Sequence, residues 1–117
     1  MSEDIFSTKD VLGRNVRLTT AQLHNHIIGR GGHLEIALDL SSMSRTVEDP
    51  DYIYNSKSHK NRDLYFKFGS HNIINKKYVK VIVDYTIPSR GDVITSYITS
   101  SVSGDLGGLI YEKSTSV

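Results

Sequence analysis

The chain has 117 residues, of which 38% are hydrophobic and 23% charged, with a net charge of +1 and no cysteine. That suits one soluble globular domain with a single modest core; it excludes disulfides and thiolate metal sites and gives no global pull toward a polyanion. No apolar run approaches the roughly 18 residues of a membrane span, and the acidic start M-S-E-D-I-F-S lacks a secretion pattern, so a cytoplasmic protein, or a domain delivered into a target cytoplasm, is expected.

Residues 2–4 and 114–117 read as loose ends. Residues 11–18 read as a hairpin, two apolar pieces around a Gly/Asn turn. Thr19 or Thr20 then supplies an N-cap for a helix reaching about Gly29 or Arg30, with Leu23 and Ile27 as its buried stripe and Gly31-Gly32 as its stop. A second helix is expected over roughly 34–48, because Ile36, Leu40, Met43 and Val47 share one face; Pro50 ends it.

After that the period changes to two. Residues 52–54, 63–68, 78–85 and 92–100 read as strands rich in Tyr, Ile and Val, and their short connections imply an antiparallel meander. The expected architecture is α+β in a single domain over 1–117. A hairpin and two N-terminal helices, about 6–49, pack on a four-stranded or larger antiparallel sheet, about 51–112.

His26 and Arg30 are spaced i, i+4 at the edge of the first helix's apolar stripe. They suit a general acid/base beside a cation that stabilises phosphate charge. They also suit the commoner arrangement, a half-buried histidine beside a solvated arginine. Tyr65 and Lys67 share one strand face, and Leu64, Phe66 and Phe68 share the other; the apolar set should meet the core. On the last strand Val93, Thr95, Tyr97 and Thr99 share a face. Hydroxyls so placed can bind a phosphate oxygen or be ordinary strand residues.

Between positions 55 and 80 lie seven of the 14 basic residues (Lys57, Lys60, Arg62, Lys67, Lys76, Lys77 and Lys80), with Asp63 the sole acid, which would give the molecule a basic side. The five histidines have no metal-ligand spacing, so neither metal nor cofactor is expected.

The stretch I-I-G-R-G-G, from Ile27 to Gly32, resembles the backbone-clamping GxxG loop of KH RNA-binding domains; that match covers only the loop and its flanks. A second resemblance covers most of the chain. V-R-L-T, H-I-I-G-R, V-E-D-P-D-Y-I-Y, R-D-L-Y-F-K, Y-V-K-V-I-V-D-Y and D-V-I-T-S-Y-I-T occur in that order. Their order and spacing resemble phage and mobile-element domains of the barnase–EndoU–colicin–RelE nuclease superfamily. Where such domains often carry R-H-P after the first helix, this chain has Arg30-Gly31-Gly32-His33.

The resemblance implies a metal-independent endoribonuclease of toxin or phage type, with a helical N-terminal part and a C-terminal antiparallel sheet. It implies His26 as acid/base, Arg30 as phosphate cation, and Tyr65, Lys67, Thr95 and Thr99 as substrate contacts. RNA would be cut by attack of a 2′-hydroxyl on the adjacent phosphate, with Lys57, Lys60, Arg62, Lys76 and Lys77 gripping it. An inhibitor or immunity protein is the other partner such a toxin could have. Two further classes stay open: a non-catalytic RNA-binding module, KH-like or nuclease-derived, and an immunity or structural domain that binds a protein.

Overall fold

The structure is a computed structural model that describes residues 3–30, 36 and 39–114, without the side chains of His26 and residues 28–30. Among the described residues seven strands form one sheet: β1 (Asp4–Lys9), β2 (Asn15–Thr19), β3 (Tyr52–Ser56), β4 (Arg62–Phe68), β5 (Tyr78–Ile87), β6 (Arg90–Thr99) and β7 (Leu106–Glu112). Helical structure is brief. A single turn, α1 (Thr20–Gln22), runs into a π-helical stretch, Leu23–Arg30, and α2 (Ser41–Glu48) follows.

The strand order is β1-β2-β6-β5-β4-β3-β7. β3 to β6 form the antiparallel meander that the period-two pattern predicts. The β1–β2 hairpin then adds to the β6 edge, with β2 parallel to β6, and β7 returns to pair with β3 at the far edge.

This corrects the expected fold. Two N-terminal helices do not cover an antiparallel sheet of four or so strands; a mixed seven-stranded sheet dominates, with short helices on one side. The reason lies at both ends of the chain. Residues 4–9, whose start reads as a loose end, form an edge strand instead, since a two-stranded ribbon is marginal alone and gains by joining a larger sheet. L-G-G-L-I-Y-E pairs with β3 through two register shifts, although its glycines weaken a strand reading.

The hairpin is real but displaced: Val11 to Gly13 lie in its turn. Asp10 accepts from the N–H groups of Leu12 at 3.0 Å and Arg14 at 2.7 Å, and Gly13 takes the positive φ, 85°, that closes it. Thr19 caps the first helical turn as expected, its hydroxyl accepting from the Gln22 N–H at 3.2 Å. The glycine stop at Gly31-Gly32, His33 and most of the second helix's expected first half lie outside the described residues.

The core fills the helix side of the sheet. Leu23, Ile27, Ile36, Met43 and Val47 meet Val16, Leu18, Ile53, Val79, Val81, Val83 and Val93 there, all buried. Each such side chain contributes roughly 1.5–3 kcal/mol on leaving water. Among the described residues no helix is long and apolar enough to cross a membrane.

Candidate nucleic-acid interface

Residues paired across an antiparallel sheet share a face, so register decides which side chains can meet. Tyr65 pairs with Ile53 and Val81, and this places it on the helix side, with no exposed surface. Its hydroxyl donates to Asp10 Oδ2 at 2.6 Å and accepts from Arg14 Nη2 at 3.0 Å. The Tyr85 hydroxyl completes the contact.

Arg14 binds Asp10 through Nε at 2.9 Å and Asp63 through Nη1 at 2.8 Å, with its guanidinium 4.3 Å from the Tyr85 ring centroid. The Tyr85 ring can lie there because position 91 is glycine. A Cβ on Gly91 would stand 2.6 Å from Tyr85 Cε1 and 2.6 Å from Val83 Cγ1.

Burial, the charge of Tyr85 and the bond to Asp10 push the Tyr65 phenol far above its ordinary value. Burial pushes Tyr85 up to about 12. Burial pulls Arg14 down, but Tyr65, Asp63, Tyr85 and Asp10 outweigh it and hold the guanidinium above its ordinary value. At neutral pH both phenols are protonated and Arg14 is charged, so neither tyrosine can take a proton from a substrate. The cluster is a lock that fastens the hairpin turn to β4 and β5.

Lys67 is likewise committed. Its ammonium donates to the Asp49 carbonyl at 2.9 Å and carboxylate at 3.1 Å, and Lys113 reaches the same carboxylate at 3.0 Å. Together the two lysines hold the Asp49 carboxyl below its usual range and tie the end of α2 to the sheet.

The other face, called the open face below, carries no helix among the described residues; Leu64, Phe66 and Lys80 at its centre are buried, and its rim is exposed. Leu64, Phe66 and Phe68 point there rather than into the helix-side core, which reverses the expected sidedness of β4. Rings run diagonally across three strands. Tyr52 and Tyr54 stand 6.3 Å apart, Tyr54 and Phe66 6.4 Å, Phe66 and Tyr78 6.5 Å, and Phe68 and Tyr78 5.3 Å, the last three edge-on. Phe68 is 52% exposed, and Tyr52, Tyr54, Tyr78 and Tyr97 are half-buried.

β6 joins this face through a bulge. Val93 pairs with Val83 on the helix side, whereas Thr95 pairs with Ile82 on the open side, leaving Ile94 as the extra residue. Thr95, Tyr97 and Thr99 therefore lie opposite Val93.

The residues expected to form one catalytic site are thus divided by the sheet. Tyr65 and Lys67 lie on the helix side; Thr95 and Thr99 lie on the open side. His26 and Arg30 belong to the π-helical stretch packed over β6, and their side chains are outside the described residues. The expected basic side divides too. Lys57 and Lys60 are exposed beside the β3–β4 turn, and Lys76 and Lys77 in the β4–β5 loop, at opposite ends of a strand about 20 Å long. Arg62 is paired with Asp84 at 3.2 Å.

The β4–β5 loop is held firmly beside the aromatic stripe. Asp39 accepts from Arg45 Nη2, the Ser41 hydroxyl and the Asn72 N–H, each at 2.8 Å. His71 Nδ1 accepts from the N–H groups of Ile73 at 3.1 Å and Ile74 at 3.0 Å, and the His71 side chain is buried. Sequence reasoning missed this fastening, the Asp10/Arg14/Tyr85 lock and the aromatic face; alternation at 52/54 and 66/68 was the available signal for the last.

No family model, curated protein or solved structure matches the chain. What the protein does must be read from its own geometry. Among the described residues no group of three His, Asp or Glu side chains is arranged to hold a metal ion. The open face instead offers rings, hydroxyls and flanking ammonium groups, a set that suits unpaired bases and phosphates.

Proposed function

We propose that this protein grips single-stranded RNA on the open face of its sheet. The observation that carries the reading is the aromatic stripe from Tyr52 to Tyr78 with Phe68 exposed at its end, adjoining the loop that bears Lys76 and Lys77. Unpaired bases stack on such rings for about 1–3 kcal/mol each, and the lysines add a salt-dependent hold on the backbone.

The second reading is cleavage of that RNA without a metal, by attack of a 2′-hydroxyl on the adjacent phosphate. The resemblance of the motif order to the barnase–EndoU–colicin–RelE nucleases favours it, with the RNA reaching the stretch that packs over β6 rather than Thr95 and Thr99 on the opposite face. In it His26 moves the proton and Arg30 offsets phosphate charge, while Tyr65 and Lys67 serve the fold.

A labelled oligouridine titrated at several salt concentrations tests the first reading. Binding should weaken steeply with salt and fall about tenfold or more in Tyr78→Ala. Tyr78→Ala binding as tightly as the unaltered protein would overturn it. RNA cleavage in EDTA by unaltered protein and by His26→Ala tests the second. Loss of about 10² or more in rate is expected, and undiminished cleavage removes the role of His26.

A further inference from the structure

Lys80 lies on the open face between Phe66 and Tyr97, with its Nζ 5.2 Å and 5.4 Å from their ring centroids. It is only 2% exposed, and its ammonium donates to the carbonyls of Ser103 at 2.9 Å and Gly104 at 3.0 Å. Among the described residues no carboxylate forms an ion pair with it. A buried cation without an anion is a rare and expensive arrangement, since carbonyl dipoles return only part of the lost hydration.

The two carbonyls belong to residues 100–105, which join β6 to β7. Because β5, β4 and β3 separate those strands in the sheet, this connection must cross the open face, and Lys80 lies under the crossing. The strap is anchored beyond Lys80. The Asp105 carboxylate binds the hydroxyls of Ser56 and Ser58, and its carbonyl accepts from the Lys57 N–H at 2.9 Å. Between anchor and lysine the backbone is left-handed twice, φ 87° at Gly104 and 60° at Asp105. A Cβ on Gly104 would meet Lys80 Nζ at 2.9 Å, and the positive φ there strains most other residues. Aspartate is one of the few non-glycine residues that enters this region readily, so the turn hinges at Gly104 and is held at Asp105.

We propose that Lys80 is a phosphate-binding residue held in reserve under this strap. When a nucleic-acid strand lies on the open face, rotation of the backbone at Gly104 withdraws the two carbonyls and a backbone phosphate takes their place. The anion missing from the closed site is then the ligand's own. This rests on the RNA reading and adds to it the residue that engages phosphate and the segment that gates it.

The probe is a fluorescent 2′-O-methyl oligouridine of about ten nucleotides, which cannot undergo 2′-hydroxyl attack. Lys80→Met, similar in length but uncharged, should bind it about tenfold more weakly, with the slope of log K against log salt smaller by about 1. Its thermal midpoint should equal or exceed that of the unaltered protein, because a buried uncompensated charge is removed. Gly104→Ala, which cannot hold the closed turn without strain, should bind several-fold more tightly. Unchanged affinity and salt slope in Lys80→Met overturn this inference alone, as does weaker binding in Gly104→Ala with the fold intact. Absence of binding by the unaltered protein overturns the RNA reading and this inference with it.

Discussion

Tyr65 and Tyr78 sit on neighbouring strands of one sheet. Tyr65 faces the helices with no exposed surface, and its hydroxyl is consumed by Asp10, Arg14 and Tyr85. Tyr78 faces the other way, half-buried against Phe66 and Phe68, with part of its surface in solvent. The contrast extends to the cations. Arg14 is fully committed to two carboxylates and a phenol, whereas Lys80 has only carbonyls and rings. One side therefore uses tyrosine and a cation to hold the fold together, whereas on the other the tyrosine rings keep solvent-exposed surface and the cation meets carbonyls and rings.

The hardest blow to that division would fall on Arg14. Arg14→Met leaves the carboxylates of Asp10 and Asp63 buried without their cation, and should lower stability by about 3 kcal/mol, read as a fall in urea midpoint at constant slope. If the midpoint barely moves, the helix-side cluster is no lock.

The alkaline limb sharpens the same point. Below pH 10 the phenols are neutral in both folded and unfolded chains. Above it the unfolded tyrosines ionise near their ordinary 10.0, while Tyr85 keeps its proton to about 12 and Tyr65 beyond that. Stability should hold up to about pH 10 and then decline, by at most ~1.4 kcal/mol per pH unit for each group. Denaturant midpoints across that range measure it, and Tyr85→Phe should shallow the decline.

The smallest expected change in stability belongs to the open face. Phe68→Ala should shift stability by no more than about 0.5 kcal/mol, because its ring is half in solvent, while oligouridine affinity falls. A large loss of stability there would mean that the open face is part of the core after all.

Much of the strand layout was legible in the residues. The four meander strands follow from β-branched and aromatic residues at period two between Gly, Pro, Asn and Ser clusters, and Thr19 reads correctly as a cap. Leu23, Ile27, Ile36, Met43 and Val47 read correctly as buried. The outer strands were harder. β1 is short, β7 carries Gly107 and Gly108 with two register shifts, and both exist because a larger sheet was there to receive them. The Asp10–Arg14–Asp63–Tyr65–Tyr85 cluster joins positions up to 75 apart, which no local pattern connects.

By itself, then, the sequence determined where the four meander strands extend and turn, and which aliphatic residues between Leu23 and Val47 avoid water. Sidedness was decided only in three dimensions. A period-two pattern is unchanged when its two faces are exchanged, and β4 buries side chains on both, Asp63 and Tyr65 on one and Leu64 and Phe66 on the other. Where the helices and the hairpin landed chose the covered side, and one extra residue at Ile94 moved Thr95, Tyr97 and Thr99 to the uncovered one.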